Sequence, residues 1–372
     1  VQETLHDTLA RHKGNKAAAA RELGISPSTF KDRLVALARE GSAPGHFNNG
    51  TAPGYLMGKV TVQRNADGDV ERTWERQSPD REAWYTAMRE AVEALKEELP
   101  RSTPVPSPKA RLLTHLCNLL TFTDYHLGCL AWKDEGGADW DVKIAENTLT
   151  SANAALLAQA PPAHTLVVNI QGDFLHTDGK LPLTPASKHV LDADSRYPKI
   201  RKAAIRLIRH LVQVGLQTHQ HVHLIVAEGN HDEEGSGWLA DLFSVLYEVE
   251  PRVTVDDSPL PFYVYEWGKT MLGVHHGHKV KNEQLPLLYA AQFPEIWGRT
   301  TKREIHCGHR HHRDEKEYNG VTVIQHPTLA ARDAYAARGG WIAERSAQLI
   351  TYHKEYGQVG RVSVCPEMLE AA

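Results

Sequence analysis

Thr165-Leu166-Val167-Val168-Asn169-Ile170-Gln171-Gly172-Asp173-Phe174-Leu175-His176 joins a β-prone run to a glycine turn that carries an acid and an imidazole. An apolar run of this length closed by a turn residue reads as a short buried strand, with Asp173 and His176 on the loop at its end. The same pattern recurs outward from it. Leu116 to Phe122 leads into Asp124-Tyr125-His126, His221 to Val226 into Gly229-Asn230-His231-Asp232, and Met271 to Val274 into His275-His276-Gly277-His278; a fifth set is Gly308-His309-Arg310-His311. Side chains on loops held by a rigid sheet can converge on one point although they lie far apart in the chain. Together these sets offer the oxygen and imidazole ligands that two divalent ions require, and one spare histidine for proton work.

The order D-x-H, G-D-x-x-H, G-N-H-D, H-G and G-H-x-H resembles the calcineurin-like metallophosphoesterases over residues 112 to 355. Histidine rather than aspartate at the end of the second set is similar to the Mre11/SbcD-like nuclease branch. Thr184-Pro185-Ala186-Ser187-Lys188-His189, Asp194-Ser195-Arg196-Tyr197, Trp297-Gly298 and Asp333-Ala334-Tyr335 also resemble phage and prophage members that carry an N-terminal DNA-binding segment. The resemblance implies an α/β fold, a two-sheet αββα metallophosphoesterase sandwich with metals at the strand ends. It further implies that Asp124, His126 and His311 hold one ion, that Asn230, His276 and His309 hold the other, and that Asp173 bridges both.

Carboxylate, amide and imidazole ligands without thiolate favour Mn²⁺ first, with Fe, Zn²⁺ or Mg²⁺ also suited. Two ions ~3.5–4 Å apart can share a bridging hydroxide and clamp a phosphoryl group for in-line displacement. In the related enzymes the histidine at His231 protonates the leaving oxygen, and Asp232 fixes its orientation; an imidazole, with an ordinary pKa near ~6.5, suits that task. At His176 the nuclease relatives have a histidine that sets the nucleic acid strand against the metals, the alternative being a structural replacement for Asp or Arg. His276 directly precedes Gly277 and is taken as the ligand, with His275, His278 and His312 as its neighbours.

With 372 residues the chain suits two or three units, and a hydrophobic content of 41% can bury a sizeable core. No apolar run approaches a membrane span and the polar N-terminus lacks a secretory pattern, so a cytoplasmic protein, in a bacterial host if phage-borne, is expected. Cys117, Cys129, Cys307 and Cys365 lack C-x-x-C spacing, which argues for reduced thiols rather than a zinc ribbon or disulfides. A net charge of −4 exerts no global pull on nucleic acid. Residues 11 to 40 differ, with Arg11, Lys13, Lys16, Arg21, Lys31, Arg33 and Arg39 against Glu22, Asp32 and Glu40.

That basic segment reads as helices. Asn15 caps a helix from Lys16 to Leu23, Gly24 ends it, and Ser26-Pro27 opens another that reaches about Ala38. Gly14 to Phe30 resembles the Fis/NtrC-type helix-turn-helix, in which the second helix enters the major groove; here it would present Ser28, Thr29 and Lys31 to DNA. A helical hairpin packing on another protein is the alternative. The expected units are a helix-turn-helix over 1–44, a linker and hairpin around Ala66-Asp67-Gly68 over 45–78, an amphipathic helix and Pro-rich linker over 79–110, and the phosphoesterase domain over 111–372.

The function expected is a DNA nuclease placed on its substrate by the helix-turn-helix. A phosphatase or phosphodiesterase for small molecules is one rival; a DNA-binding regulator or phage assembly factor with a scaffold phosphoesterase domain is another. The fold by itself does not choose among these, because one site of this kind serves many substrates. Homo-oligomer formation is left open.

Overall fold

The computed structural model describes residues 2–39, 55–65, 70–80, 86 and 105–370. The chain divides into two compact units, Val1–Pro100 and Arg101–Ala372. The amphipathic helix expected over 80–99, the turn at 66–68 and the linker from 45 lie almost wholly outside the described residues.

In the first unit α1 (Gln2–Arg11), α2 (Lys16–Glu22) and α3 (Pro27–Arg39) enclose a core of Leu5, Leu9, Ala19, Ala20, Phe30, Leu34 and Leu37. Asn15 Oδ1 accepts from the Ala18 N–H at 3.1 Å, Ser26 Oγ accepts from the Thr29 N–H at 3.0 Å, and Gly24 takes the left-handed conformation between the helices. Ser28, Thr29 and Lys31 are exposed in the first turns of α3. β1 (Tyr55–Arg64) and β2 (Val70–Pro79) form an antiparallel hairpin.

The second unit holds two sheets. The six-stranded sheet has the order β13 (Gly357–Val364), β12 (Ala347–His353), β3 (Leu113–Phe122), β4 (Ala163–Gln171), β5 (His221–Ala227), β6 (Val253–Val255), with β3 to β6 parallel. The five-stranded sheet has the order β10 (Asp314–Tyr318), β11 (Val321–Gln325), β9 (Lys302–Cys307), β8 (Thr270–Val274), β7 (Tyr263–Trp267), with β8, β9 and β11 parallel. Leu119, Val167 and Ile225 of one sheet meet Leu272, Val274 and Ile324 of the other, and this shared apolar layer joins them. Each such side chain contributes roughly 1.5–3 kcal/mol on full burial.

Helices cover both outer faces. After the single turn α4 (Lys133–Gly136), α5 (Val142–Gln159), α6 (Tyr197–Thr218) and α7 (Glu233–Leu246) lie on the larger sheet, and α6 buries Ile200, Ala204, Leu207, Ile208 and Leu211, a stripe at helical spacing. On the smaller sheet α8 (Leu285–Gln292) and α9 (Pro294–Arg299) pack against Met271, Ile305 and Val323. The layering is therefore αββα. The sequence reading placed few helices among the later strands, and α8 and α9 correct it. Leu-Pro-Leu-Leu-Tyr-Ala-Ala-Gln over 285–292 is apolar nearly all round and carries a proline in its first turn, so no one-sided stripe marked it as a helix.

No helix among the described residues is long and apolar enough to cross a membrane. Cys117, Cys129 and Cys307 are buried free thiols, and burial pushes the Cys307 thiol up to about 12.

Two buried histidines outside the expected ligand set limit this fold on the acid side. His219 and His326 are each 2% exposed, and burial lowers them to about 4 and about 3. An unfolded chain takes up these protons near pH ~6.5 while the native state refuses them, so the stability is whole above that pH and drains as pH falls toward the folded values. The urea midpoint is expected to drop between pH 7 and pH 5, with roughly 2 kcal/mol lost per histidine by pH 5. A midpoint that stays level over that range would contradict this assignment.

Candidate metal centre

The carboxyl ends of the parallel strands of both sheets carry the five motifs. β3 delivers Asp124 and His126, β4 Asp173 and His176, β5 Asn230 and His231, β8 His276, and β9 His309 and His311. Ligands in open α/β sheets collect at such ends because the loops there leave the sheet together. The ladders also run on beyond the strands: the Asp124 N–H donates to the Gly172 carbonyl at 3.1 Å, and the Gly308 N–H to the His276 carbonyl at 2.7 Å.

Backbone strain is concentrated at the same residues. Asp124, His126, Asp173, His309 and His311 all take the left-handed conformation, with φ between 47° and 73°. Non-glycine residues there cost on the order of 1–3 kcal/mol each, and persist where surrounding contacts dictate the shape. Here the contacts are hydrogen bonds to the carboxylates. The His309 N–H reaches both oxygens of Asp124 at 2.9 and 2.8 Å, Thr123 Oγ1 donates to Asp124 Oδ2 at 2.6 Å, and the His231 N–H donates to Asp173 Oδ1 at 2.8 Å.

The side chains fall into overlapping groups of three. Ligand atoms of Asp124, His126 and His311 lie within 4.8 Å of one another, and so do those of Asp173, His276 and His309, and those of His126, His176 and His231. His311 Nε2 is 3.2 Å from Asp124 Oδ1; His276 Nε2 is 3.1 Å from Asp173 Oδ2 and 3.8 Å from Asp124 Oδ1, which connects the groups. Asn230 lines the same cavity as Asp173 and His309, and its buried Oδ1 has no hydrogen-bond partner. His276 Nδ1 is 2.9 Å from the Gln171 carbonyl, which leaves Nε2 to face the carboxylates.

Charge distribution follows this geometry. Burial opposes ionisation of Asp173, Asp124 and His276, but attraction among them and their neighbouring histidines outweighs it. Both carboxyls therefore sit below the usual carboxylate range, Asp173 well below, and His276 is pushed up to about 10. Burial and neighbouring histidines hold His126 and His309 down, so they are neutral donors. Without a cation the buried carboxylates are balanced by histidine protons. Oxygen and neutral-imidazole donors, an orphaned amide oxygen and exchangeable imidazole protons fit divalent cations.

His231 lies beside these groups, its ring 4.6 Å from that of His126, with Nδ1 3.0 Å from the His176 carbonyl. Two expectations change here. Asp232 does not meet the His231 ring; its carboxylate, fully buried, accepts the N–H groups of Asp173, Leu175 and Gly229 at 3.1, 2.9 and 3.0 Å. It thus ties the loops after β4 and β5 together, and burial with the nearby Asp173 charge raises it to about 6. His176 is 1% exposed behind His126, with Nδ1 3.3 Å from His126 Nδ1, so its ring is not placed to touch a bound strand. Burial lowers it to about 3.

Sequence reading missed Thr123 and Thr328, whose hydroxyls hold the Asp124 carboxylate and carbonyl at 2.6 Å each. Thr123 adjoins the first motif and was open to notice; Thr328 had no local signal. His275 is fully buried with Nδ1 2.9 Å from the Pro261 carbonyl, while His312 is exposed.

The centre opens into a cavity of about 1110 Å³ whose wall includes Lys281, Arg310, Tyr335 and Trp341. Lys281 and Arg310 put positive side chains on the same cavity wall as Asp173 and His309.

Residues 2–36 match the family model for bacterial regulatory proteins of the Fis family. No curated protein sequence matches the chain. Among solved structures, the zinc complex of Vps29 from Entamoeba histolytica is 15% identical, covers 66% of this chain and 98% of its own, and superposes with a TM-score of 0.30. YfcE, a phosphoesterase from E. coli, gives 15%, 66%, 98% and 0.33. A conserved protein from Streptococcus pneumoniae, described as a predicted phosphoesterase, gives 12%, 68%, 100% and 0.29. These likenesses concern the arrangement of sheets and helices; the chemistry of the site rests on its own residues.

Proposed function

We propose that the chain is a metal-dependent phosphodiesterase that cleaves DNA, with its helix-turn-helix holding the substrate. The observation that carries the hydrolase reading is the pair of facing ligand groups, Asp124/His126/His311 and Asp173/His276/His309, connected through Asp173 and Asp124. Asp173 and Asn230 would hold metal together with these groups, Asp173 standing nearest both through His276. Two divalent cations held there, Mn²⁺ foremost, supply Lewis-acid stabilisation of phosphoryl oxygens and activation of water.

The protein's own contribution is alignment and proton delivery. Asp232 fixes the loops that present Asp173 and His231, and the contact of His231 Nδ1 with the His176 carbonyl leaves Nε2 to protonate the leaving oxygen. His176 acts through His231 and His126 as a positioning residue. DNA is favoured because the Fis-family match over residues 2–36 shares the chain with this site, and Ser28, Thr29 and Lys31 stand exposed on α3.

The test is hydrolysis by Mn²⁺-loaded protein of linear DNA, bis(p-nitrophenyl) phosphate, p-nitrophenyl phosphate and cyclic nucleotides. Cleavage of DNA and the diester without monoester hydrolysis is expected; turnover of the monoester alone would replace this reading with that of a small-molecule phosphatase. His231→Ala should cut diester hydrolysis by roughly 10²–10⁴-fold and leave DNA binding intact. Removal of residues 1–44 should do the reverse, sparing the small diester while weakening action on DNA. Undiminished DNA cleavage by the shortened chain would end the tethering idea.

A further inference from the structure

We propose a third cation site, separate from the pair above, formed by His278, Glu228 and Glu233. The His278 side chain is 6% exposed, yet neither ring nitrogen has a hydrogen-bond partner. Its Nε2 lies 3.9 Å from one carboxylate oxygen of Glu228 and 3.9 Å from one of Glu233. The three ligand atoms fall within 4.8 Å of one another, too far apart for direct hydrogen bonds and close enough for one ion to draw them in. Buried imidazoles normally satisfy at least one nitrogen, so an orphaned ring aimed between two acids calls for a partner.

The local sequence explains the placement. His276 and His278 flank Gly277, which takes φ of 110°, and both rings turn to the same side with centroids 5.3 Å apart. One serves the central pair and the other the adjoining acids. Glu228 follows β5, and Glu233 opens α7, on the far side of the Asn230 loop.

Charge supplies the second argument. Lys279 Nζ is 2.6 Å from Glu233 and 3.8 Å from Glu228, so one ammonium faces two carboxylates. His278 and Lys279 line the cavity into which the metal centre opens. The cluster of Glu228, Glu233 and Lys279 thus carries two negative charges against one positive. A divalent ion on His278, Glu228 and Glu233 reverses the sign and releases the half-exposed Lys279 to meet the substrate. One imidazole and two carboxylates select Mn²⁺, Zn²⁺ or Fe²⁺ rather than a soft ion such as copper(I).

The experiment counts metal on the full chain. Protein stripped with a chelator is titrated with Mn²⁺, and in parallel with Zn²⁺, and bound metal is measured after gel filtration by mass spectrometry. Wild type is expected to hold three equivalents, and Glu233→Gln and His278→Gln two each. Lys279→Met should keep three and bind the weakest of them more tightly, since a competing cation is gone. Glu233 is partly exposed at the helix start, so Glu233→Gln keeps the fold, and circular dichroism checks it. A wild-type count that Glu233→Gln and His278→Gln both leave unchanged, whatever its total, would overturn the proposal. A failed binuclear reading looks different: the total falls, but Glu233→Gln still removes one equivalent.

Discussion

Asp173→Asn is expected to lower metal-dependent diester hydrolysis by more than about 100-fold, a loss above that seen for residues that merely support metal ligands. Asp173 is 1% exposed, accepts the His231 N–H through Oδ1 and lies 3.1 Å from His276 Nε2 through Oδ2. Asparagine keeps the size and one acceptor but removes the negative charge that two cations would share and that raises His276. The change therefore strikes the metals and not the fold. Metal analysis should show a reduced content, thermal unfolding should stay close to wild type, and DNA binding by the first unit should persist. Near-normal turnover in the variant would remove Asp173 from the centre of the reaction.

Gly229→Ala is expected to disable the same site by a steric route. A Cβ at Gly229 would stand 2.0 Å from Asp173 Oδ1 and 2.2 Å from the Asp173 backbone nitrogen. Backbone cannot yield as a flexible side-chain tip does, so the loops after β4 and β5 must part. That breaks the clamp in which Asp232 accepts the N–H groups of Gly229 and Asp173. Overpacking of this kind costs typically about 1–3 kcal/mol, and the displaced ligands should also lose metal. Gly237→Ala is the control, since its added methyl meets nothing within 4 Å in the middle of α7. It should raise stability by up to about 1 kcal/mol, because alanine favours a helix over glycine. Chemical denaturation together with metal content separates the two, and equal behaviour would refute the steric argument.

Both variants act on residues that stood out in the chain itself, and the reason lies in local chemistry. An apolar β-prone run ending in a turn with an acid, amide or imidazole is a short-range signal, and four such runs marked the strand ends before any pairing was known. Asn15, Gly24 and Ser26 were equally local, since a cap or a turn depends on neighbours three or four residues away. By contrast α8 escaped notice because its own residues are apolar nearly all round, α9 because six residues are too few to show a period, and Thr328 because its contact with Asp124 spans 204 residues.

Roles were harder to read than positions. Asp232 was expected to orient the residue beside it in sequence, yet its carboxylate turns to backbone N–H groups on the neighbouring loop. His176 was expected at the substrate, and it lies behind His126. In each case the direction of a side chain depended on which distant loop approached it, and sequence spacing does not encode that.

The chain by itself determined which residues can ligate a cation, where the strands end and that an N-terminal helical segment precedes an α/β unit, because these follow from residue chemistry and local periodicity. Only the tertiary structure decided that the Asp232 carboxylate ties two loops together, that His278 faces Glu228 and Glu233, and that five ligand-bearing residues hold left-handed backbone. Those facts arise when two separate sheets pack face to face and bring their parallel strand ends together, an event governed by long-range burial.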